Sequence, residues 1–246
     1  MGEVLAVLSG KGGTGKTSVC AGLSTALAES GKRVLCVDCD VGLRNLDISL
    51  GMPESSPLSF LDVLSGHYSL SSAARHDRYP SLCFLTAPMN CTADEIDPDA
   101  FCDMLRQARQ EFDMILLDAP AGVDAGFRLA AAAADRFLLV TGFGPAAVRD
   151  AARTAQVLEL MGKKNIRLVV NRVEPKLVRA MDTTIDDVMD TAGLPLLGIV
   201  PEDKYVTLAA TFNQPLLKYK PRCAASKACM RIAKRILGLP EPISIR

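Results

Sequence analysis

Short, unbroken apolar runs rich in Val, Leu and Ile alternate along this chain with longer stretches whose apolar positions recur at helical spacing. Unbroken runs predict strands buried on both faces, and helical periodicity predicts helices with one buried side. The runs place strands at 4–8, 33–37, 82–86, 114–117, 136–140, 167–170 and 196–200. The periodic stretches place helices at 16–30, 97–111, 125–134, 146–161, 184–192 and 222–237, with a short extra one at 58–64. In the first helix Val19, Cys20, Leu23, Ala26 and Leu27 share one face. Strand and helix in alternation define an α/β fold, a mostly parallel twisted sheet with helices on both faces. The stretches 53–57 and 174–182 read as loops inside one domain covering 1–246, and 238–246 reads as a short tail.

Composition fits that picture. A chain of 246 residues with 49% apolar content has enough material for one globular α/β core. No run approaches a membrane span, and Met1-Gly2-Glu3 leads straight into a strand rather than a secretory signal. The expected location is the cytoplasm, with the inner face of the cell membrane as the alternative. Formal net charge is zero, so no global footprint for nucleic acid exists and none is expected as a specific partner. Local basic clusters do exist, at Lys218-Tyr219-Lys220-Pro221-Arg222 and at Lys227, Arg231, Lys234 and Arg235.

The chemistry starts where the first strand ends. Ser9-Gly10-Lys11-Gly12-Gly13-Thr14-Gly15-Lys16-Thr17 satisfies the phosphate-loop pattern between a strand and a helix. Gly10, Gly12, Gly13 and Gly15 let the backbone approach an anion and adopt positive φ, so that N–H groups converge on a phosphate. The helix beginning at Lys16 points its positive end at the same place. Lys16 supplies charge between β- and γ-phosphates, and the Thr17 hydroxyl suits a magnesium ion. The cofactors are therefore ATP and Mg2+. Lys11 has two readings, a solvated loop charge or a lysine aimed across a two-fold axis at a partner's phosphates, and spacing alone does not choose.

Aspartates mark the ends of neighbouring strands: Asp38 and Asp40 after one, Asp118 after another. Beside a phosphate loop such groups support magnesium or orient an attacking water; elsewhere they cap turns and helices. The eight cysteines include one C-x-x-C pair, Cys36 and Cys39, which alternation on a strand sends to opposite faces. They read as small buried hydrophobes.

The Lys-Gly-Gly-Thr-Gly-Lys-Thr run resembles the deviant Walker A motif of the MinD/ParA family of ATPases, which also holds the arsenite-pump ATPases and the nitrogenase iron protein. Asp38-Cys39-Asp40-Val41-Gly42-Leu43-Arg44-Asn45-Leu46-Asp47 resembles the first switch of the MinD-like branch, and Asp118-Ala119-Pro120-Ala121-Gly122 its second. Val148-Arg149-Asp150, Val170-Asn171-Arg172 and Val200-Pro201-Glu202-Asp203 also match, so the resemblance spans nearly the whole chain. It implies a slow, partner-stimulated ATPase whose ATP-bound homodimer acts as a spatial switch in bacterial division-site placement, with an activator and an effector protein as partners. A DNA-tracking partition ATPase and a nucleotide-dependent carrier for metal-cluster assembly are the alternatives. By the same resemblance Lys11 reaches the other subunit's ATP, Asp40 positions the attacking water, and Asp38 and Asp118 support magnesium. Asn171 and Arg172, with the backbone of Pro201, Glu202 and Asp203, take the adenine. Arg44 and Asp150 lie on the nucleotide-sensitive partner surface or form solvated salt bridges.

Two departures from that family stand out. Gly142-Phe143-Gly144-Pro145 replaces an Asn-Pro-Glu-like segment, so a partner-facing loop is expected to differ. The family's membrane anchor is an amphipathic helix at the extreme C-terminus, whereas here Pro240 and Pro242 interrupt the tail and Ile243 and Ile245 are its apolar anchors. The amphipathic stretch 222–237 matches the family's last core helix, so its apolar face is expected on the sheet, and membrane binding by this tail is expected to be weak.

Overall fold

The strand leading into the glycine loop, β1 (Glu3–Ser9), lies inside an eight-stranded sheet. A computed structural model describes residues 1–52, 58–180 and 183–244. From the first strand the chain runs through α1 (Lys16–Glu29), β2 (Val34–Asp38), α2 (Leu46–Leu50), α3 (Phe60–Leu64), β3 (Ala74–Arg75) and β4 (Leu82–Leu85). It continues through α4 (Pro98–Glu111), β5 (Met114–Ala121), α5 (Ala125–Ala133), β6 (Arg136–Thr141), α6 (Pro145–Leu160) and β7 (Ile166–Val173). The last elements are α7 (Pro175–Ala180), α8 (Ile185–Ala192), β8 (Leu196–Pro201), α9 (Lys204–Thr211), α10 (Leu216–Tyr219) and α11 (Ala224–Ile236). The strand order is β3-β4-β2-β5-β1-β6-β7-β8, parallel except for the β3–β4 pair. The predicted α/β architecture and its seven parallel strands are therefore present.

Apolar runs on the strands feed two cores, one on each face. Phe101, Phe127, Val148 and Val188 from α4, α5, α6 and α8 cover one face. Leu23, Leu46, Leu217 and Ile232 from α1, α2, α10 and α11 cover the other. Cys36 and Cys39 do fall in opposite cores, as strand alternation requires. Six of the cysteines are buried, and Cys91 and Cys102 are half-buried.

Several expectations need correction. The α1 helix is buried almost all round rather than along one face, because α11, α2 and α10 pack against it in addition to the sheet. A Cβ at Gly22 would sit 2.7 Å from Cys229 Sγ, so only glycine lets these two helices approach so closely. The loop expected at 174–182 contains α7, whose start carries Pro175 where proline is favoured. Residues 181–182 of that loop, like 53–57 and 245–246, lie outside the described residues. The short elements β3, α2, α9 and α10 were not anticipated, since two to eight residues show little periodicity. Phe143, in the departing loop, is buried in the core, and Gly144-Pro145 opens α6.

The apolar face of α11 is spent as expected, on α1 and β8. Ala225, Cys229, Ile232 and Ile236 are buried, and a Cβ at Gly198 of β8 would lie 2.4 Å from Ile232 Cγ1. Its basic side holds the following segment: Lys234 pairs with Glu241 at 3.0 Å, and Arg235 Nε donates to the Glu241 carbonyl at 2.8 Å.

One buried histidine gives a pH prediction. His76 Nε2 donates to the Leu50 carbonyl at 2.8 Å, and Nδ1 accepts the Arg78 backbone N–H at 3.0 Å, which fixes the neutral tautomer. Burial lowers its pKa, against smaller upward pushes from the Leu50 bond and Asp77. A lowered histidine contributes stability that is whole above the unfolded value of about 6.5 and is lost as pH falls through the folded value. His76→Gln is therefore expected to melt lower at pH 7.5 and to show a shallower fall in Tm toward pH 5.5 than the parent protein. Equal slopes in the two melting series would remove His76 from the acid response.

Candidate functional site

The glycine loop crosses the carboxyl end of the sheet next to the point where strand order reverses, with β5 on one side of β1 and β6 on the other. Gly13 and Gly15 have φ of 80° and 81°, the left-handed region that favours glycine. Gly15 is needed twice, since a Cβ there would lie 2.3 Å from Asn171 Nδ2. Gly10 presses on α6, where a Cβ would meet the Asp150 carbonyl at 2.5 Å. The α1 N-terminus has no side-chain cap, which leaves its N–H end open to an anion. Thr14 Oγ1 is buried with no hydrogen-bond partner among the described residues, a polar atom open to a ligand or water.

Lys16 is 6% exposed and holds Asp118 Oδ1 at 2.6 Å. Burial pulls its pKa down, but the charge and hydrogen bond of Asp118, helped by Cys20 and Asp40, carry it above the ordinary value. A phosphate is a competing anion for this ammonium. Asp118 was expected just past a strand; instead β5 runs on to Ala121, and Asp118 sits in register with Asp38 of β2. Parallel partners in register present both carboxyls on one face. Burial, reinforced by the charge of Asp118, pushes Asp38 up to about 7, while backbone N–H groups of Asp40, Leu46 and Asn45 pull it back. Asp40 is half-buried, and its pKa is raised by burial, opposed by Lys16.

Asp40, Lys11, Lys16 and Thr17 line one cavity with Gly12, Gly13, Thr14 and Gly15, and Gly10 is not part of its wall. The Lys11 ammonium is exposed and makes no hydrogen bond or ion pair among the described residues. Among those residues no three His, Cys, Asp or Glu side chains gather to cage a metal. The Thr17 hydroxyl, an oxygen donor of the kind magnesium takes, lines this cavity, whereas Asp38 and Asp118, each 1% exposed, lie behind it.

A second cavity, of 180 Å³, continues from Gly15 and Ser18 toward β7 and β8. Asn171, Arg172, Pro201, Glu202 and Asp203 all line it. Asn171 Nδ2 donates to the Thr14 carbonyl at 2.8 Å. Arg172 Nε donates to Glu202 Oε2 at 2.8 Å, and its Nη1 to the Gly13 carbonyl at 3.3 Å. Asp203 accepts from the backbone N–H of Tyr205 and of Ala225, so it caps α9 and also holds α11. Its side chain is thereby committed to these two helix starts.

The sequence reading missed Ser18, Val206, Leu216 and Cys229, which complete this cavity. Ser18 was within reach of inference because it follows Thr17. The others come from α9, α10 and α11 and meet only in three dimensions. Arg44, read either as a partner-surface residue or as part of a salt bridge, pairs with Asp47 at 2.8 Å. Arg149 is exposed and Asp150 half-buried in the first turns of α6.

An anion cradle at one end of a crevice and a partly apolar cavity at the other define a nucleotide-binding protein of the phosphate-loop class. The chain belongs to the CobQ/CobB/MinD/ParA nucleotide-binding family, whose model matches residues 5–216. It is 36% identical over 244 residues to the septum site-determining protein MinD of Synechocystis, covering 98% of this chain and 92% of that one. To the MinD of Bacillus subtilis it is 39% identical over 252 residues, with 100% and 92% covered. It superposes on MinD from the Aquifex aeolicus MinC:MinD cell division complex with a TM-score of 0.91 and 34% identity, covering 98% of each chain.

Proposed function

We propose that this protein is a MinD-like ATPase whose ATP-bound homodimer is a spatial switch in bacterial division-site placement. The observation that carries the proposal is an exposed Lys11 ammonium without a partner among the described residues, on a loop otherwise built to hold phosphate. A second subunit would bring the complementary charge, a bound nucleotide. In this reading ATP and magnesium are the cofactors. Gly10, Gly12, Gly13, Thr14, Gly15, Lys16 and Thr17 hold the phosphates, and Asn171 to Arg172 and Pro201 to Asp203 border the base. Magnesium, when bound, offsets the charge on the phosphate oxygens. With nucleotide bound, Lys16 would exchange Asp118 for phosphate, and Asp38 and Asp118 would support the ion through its waters. Turnover is slow because one subunit lacks a complete site, so a partner protein stimulates it. The relative from Aquifex aeolicus is in a cell division complex with MinC, which supports an effector protein here as well.

The carrier reading finds little support. Six of the eight cysteines pack in the two hydrophobic cores as small apolar side chains.

Localising a fluorescent fusion tests the function. A polar, midcell or membrane pattern that Lys16→Ala abolishes is expected; coating of the nucleoid would favour a DNA-tracking ATPase. Asp40 separates binding from chemistry. Asp40→Ala is expected to keep nucleotide and an ATP-trapped dimer, while phosphate release falls on the order of 100-fold, the scale of a lost water-orienting group. Phosphate release near the parent rate would assign the water to another residue.

A further inference from the structure

We infer that Asn171 and Arg172 are positioning residues that aim the phosphate loop by pinning two of its carbonyls. The inference rests on the nucleotide-site reading above. A trans peptide is planar, so the C=O of one residue and the N–H of the next point in opposite directions. Arg172 Nη1 holds the Gly13 carbonyl and Asn171 Nδ2 holds the Thr14 carbonyl. Those two bonds turn the N–H groups of Thr14 and Gly15 to the other side of the loop. Because a carbonyl only accepts, the Asn171 amide must present its nitrogen to Thr14.

The backbone of β7 is built for this double contact. Neighbouring residues on a strand normally send their side chains to opposite faces. Here Arg172 has a φ of 59°, the left-handed region, and the β7–β8 register slips between Val170 and Val173. That irregularity lets two consecutive side chains reach the same loop. An arginine in this conformation is uncommon and persists only where its surroundings hold it. Two things hold it here. Glu202, on the base-side loop, anchors the guanidinium at 2.8 Å. Gly15 clears the space beside Asn171, where a Cβ would stand 2.3 Å from Nδ2. The loop that borders the base is thus mechanically tied, through Glu202 and Arg172, to the loop that holds phosphate.

A probe without a base separates this role from base recognition. Inorganic tripolyphosphate and ATP, each with magnesium, are titrated against a fluorescent ADP analogue on the full chain. Arg172→Gly keeps the left-handed backbone comfortable and removes the guanidinium. It is expected to weaken ATP and tripolyphosphate by the same factor, about tenfold, the scale of one charge-assisted hydrogen bond. Arg172→Lys, which restores a cation, is expected to recover part of both. Glu202→Gln, which only loosens the anchor, is expected to weaken both by a smaller common factor, and it decides the matter if Arg172→Gly fails to fold. Unchanged tripolyphosphate affinity in the folded variants overturns the inference, and a loss for ATP alone then places Arg172 on the base. If the parent protein binds neither probe, the nucleotide-site reading falls and this inference with it, a result distinct from that pattern.

Discussion

Replacing Lys16 with Ala is expected to weaken ATP binding on the order of 100-fold, since a buried ammonium's charge-assisted bonds to phosphate are each worth about 1.5–3 kcal/mol. The geometry adds a complication that the experiment must handle. Lys16 also neutralises Asp118, which is 1% exposed and in register with Asp38. Removing the lysine strands a buried carboxylate beside a second one, and breaking a buried pair this way costs about 3–5 kcal/mol. Lys16→Ala is therefore expected to melt lower than the parent in the absence of nucleotide. A double variant, Lys16→Met with Asp118→Asn, removes both charges and is expected to recover much of that stability without recovering ATP affinity. Isothermal titration together with nucleotide-free melting resolves the two effects. Parent-like ATP affinity in either variant would sink the phosphate-loop assignment.

Lys11→Ala is expected to have the opposite signature. Its ammonium is exposed and unpaired among the described residues, so the folded monomer loses nothing, and nucleotide affinity is expected to stay within a few-fold of the parent. ATP-dependent dimerisation is expected to collapse. In a two-fold dimer each Lys11 acts once on the other subunit's nucleotide, so any loss counts twice. At about 1.5–3 kcal/mol per charged contact the dimer weakens by upwards of about 100-fold. Light scattering with magnesium and ATP measures this directly. A normal ATP-dependent dimer in the variant returns Lys11 to being a solvated loop charge. The two variants together form a pair: one loses the ligand, the other keeps the ligand and loses the partner.

How much of this was legible beforehand depended on how local the cause was. The phosphate loop, Lys16 to Thr17 and the alternation of buried strands with helices are written in consecutive residues, because N–H convergence, helix starts and apolar runs depend on near neighbours. The strand-loop-helix order around Lys16 and Thr17 and the parallel sheet are present as the sequence predicts. So is the split of Cys36 and Cys39 between two cores, a direct consequence of strand alternation. Packing context overrode periodicity elsewhere. The α1 helix looked one-sided but is enclosed, since α10 and α11 return from far along the chain and, with α2, cover it. The extent of β5 was underestimated because pairing with β1 carries the strand past Asp118.

The sequence by itself determined the fold class, the anion cradle and the identity of the charged groups around it. Local backbone preference and burial periodicity are sufficient for those. Only the tertiary structure decided what each charge faces. It set Asp118 beside Asp38 and against Lys16, committed Asp203 to capping two helices, and brought Asn171 and Arg172 onto the carbonyls of Thr14 and Gly13. These contacts join residues 102, 22, 157 and 159 positions apart. No short-range pattern encodes such pairings, because they arise from strand register and a local reversal in β7, which exist only once the sheet has formed.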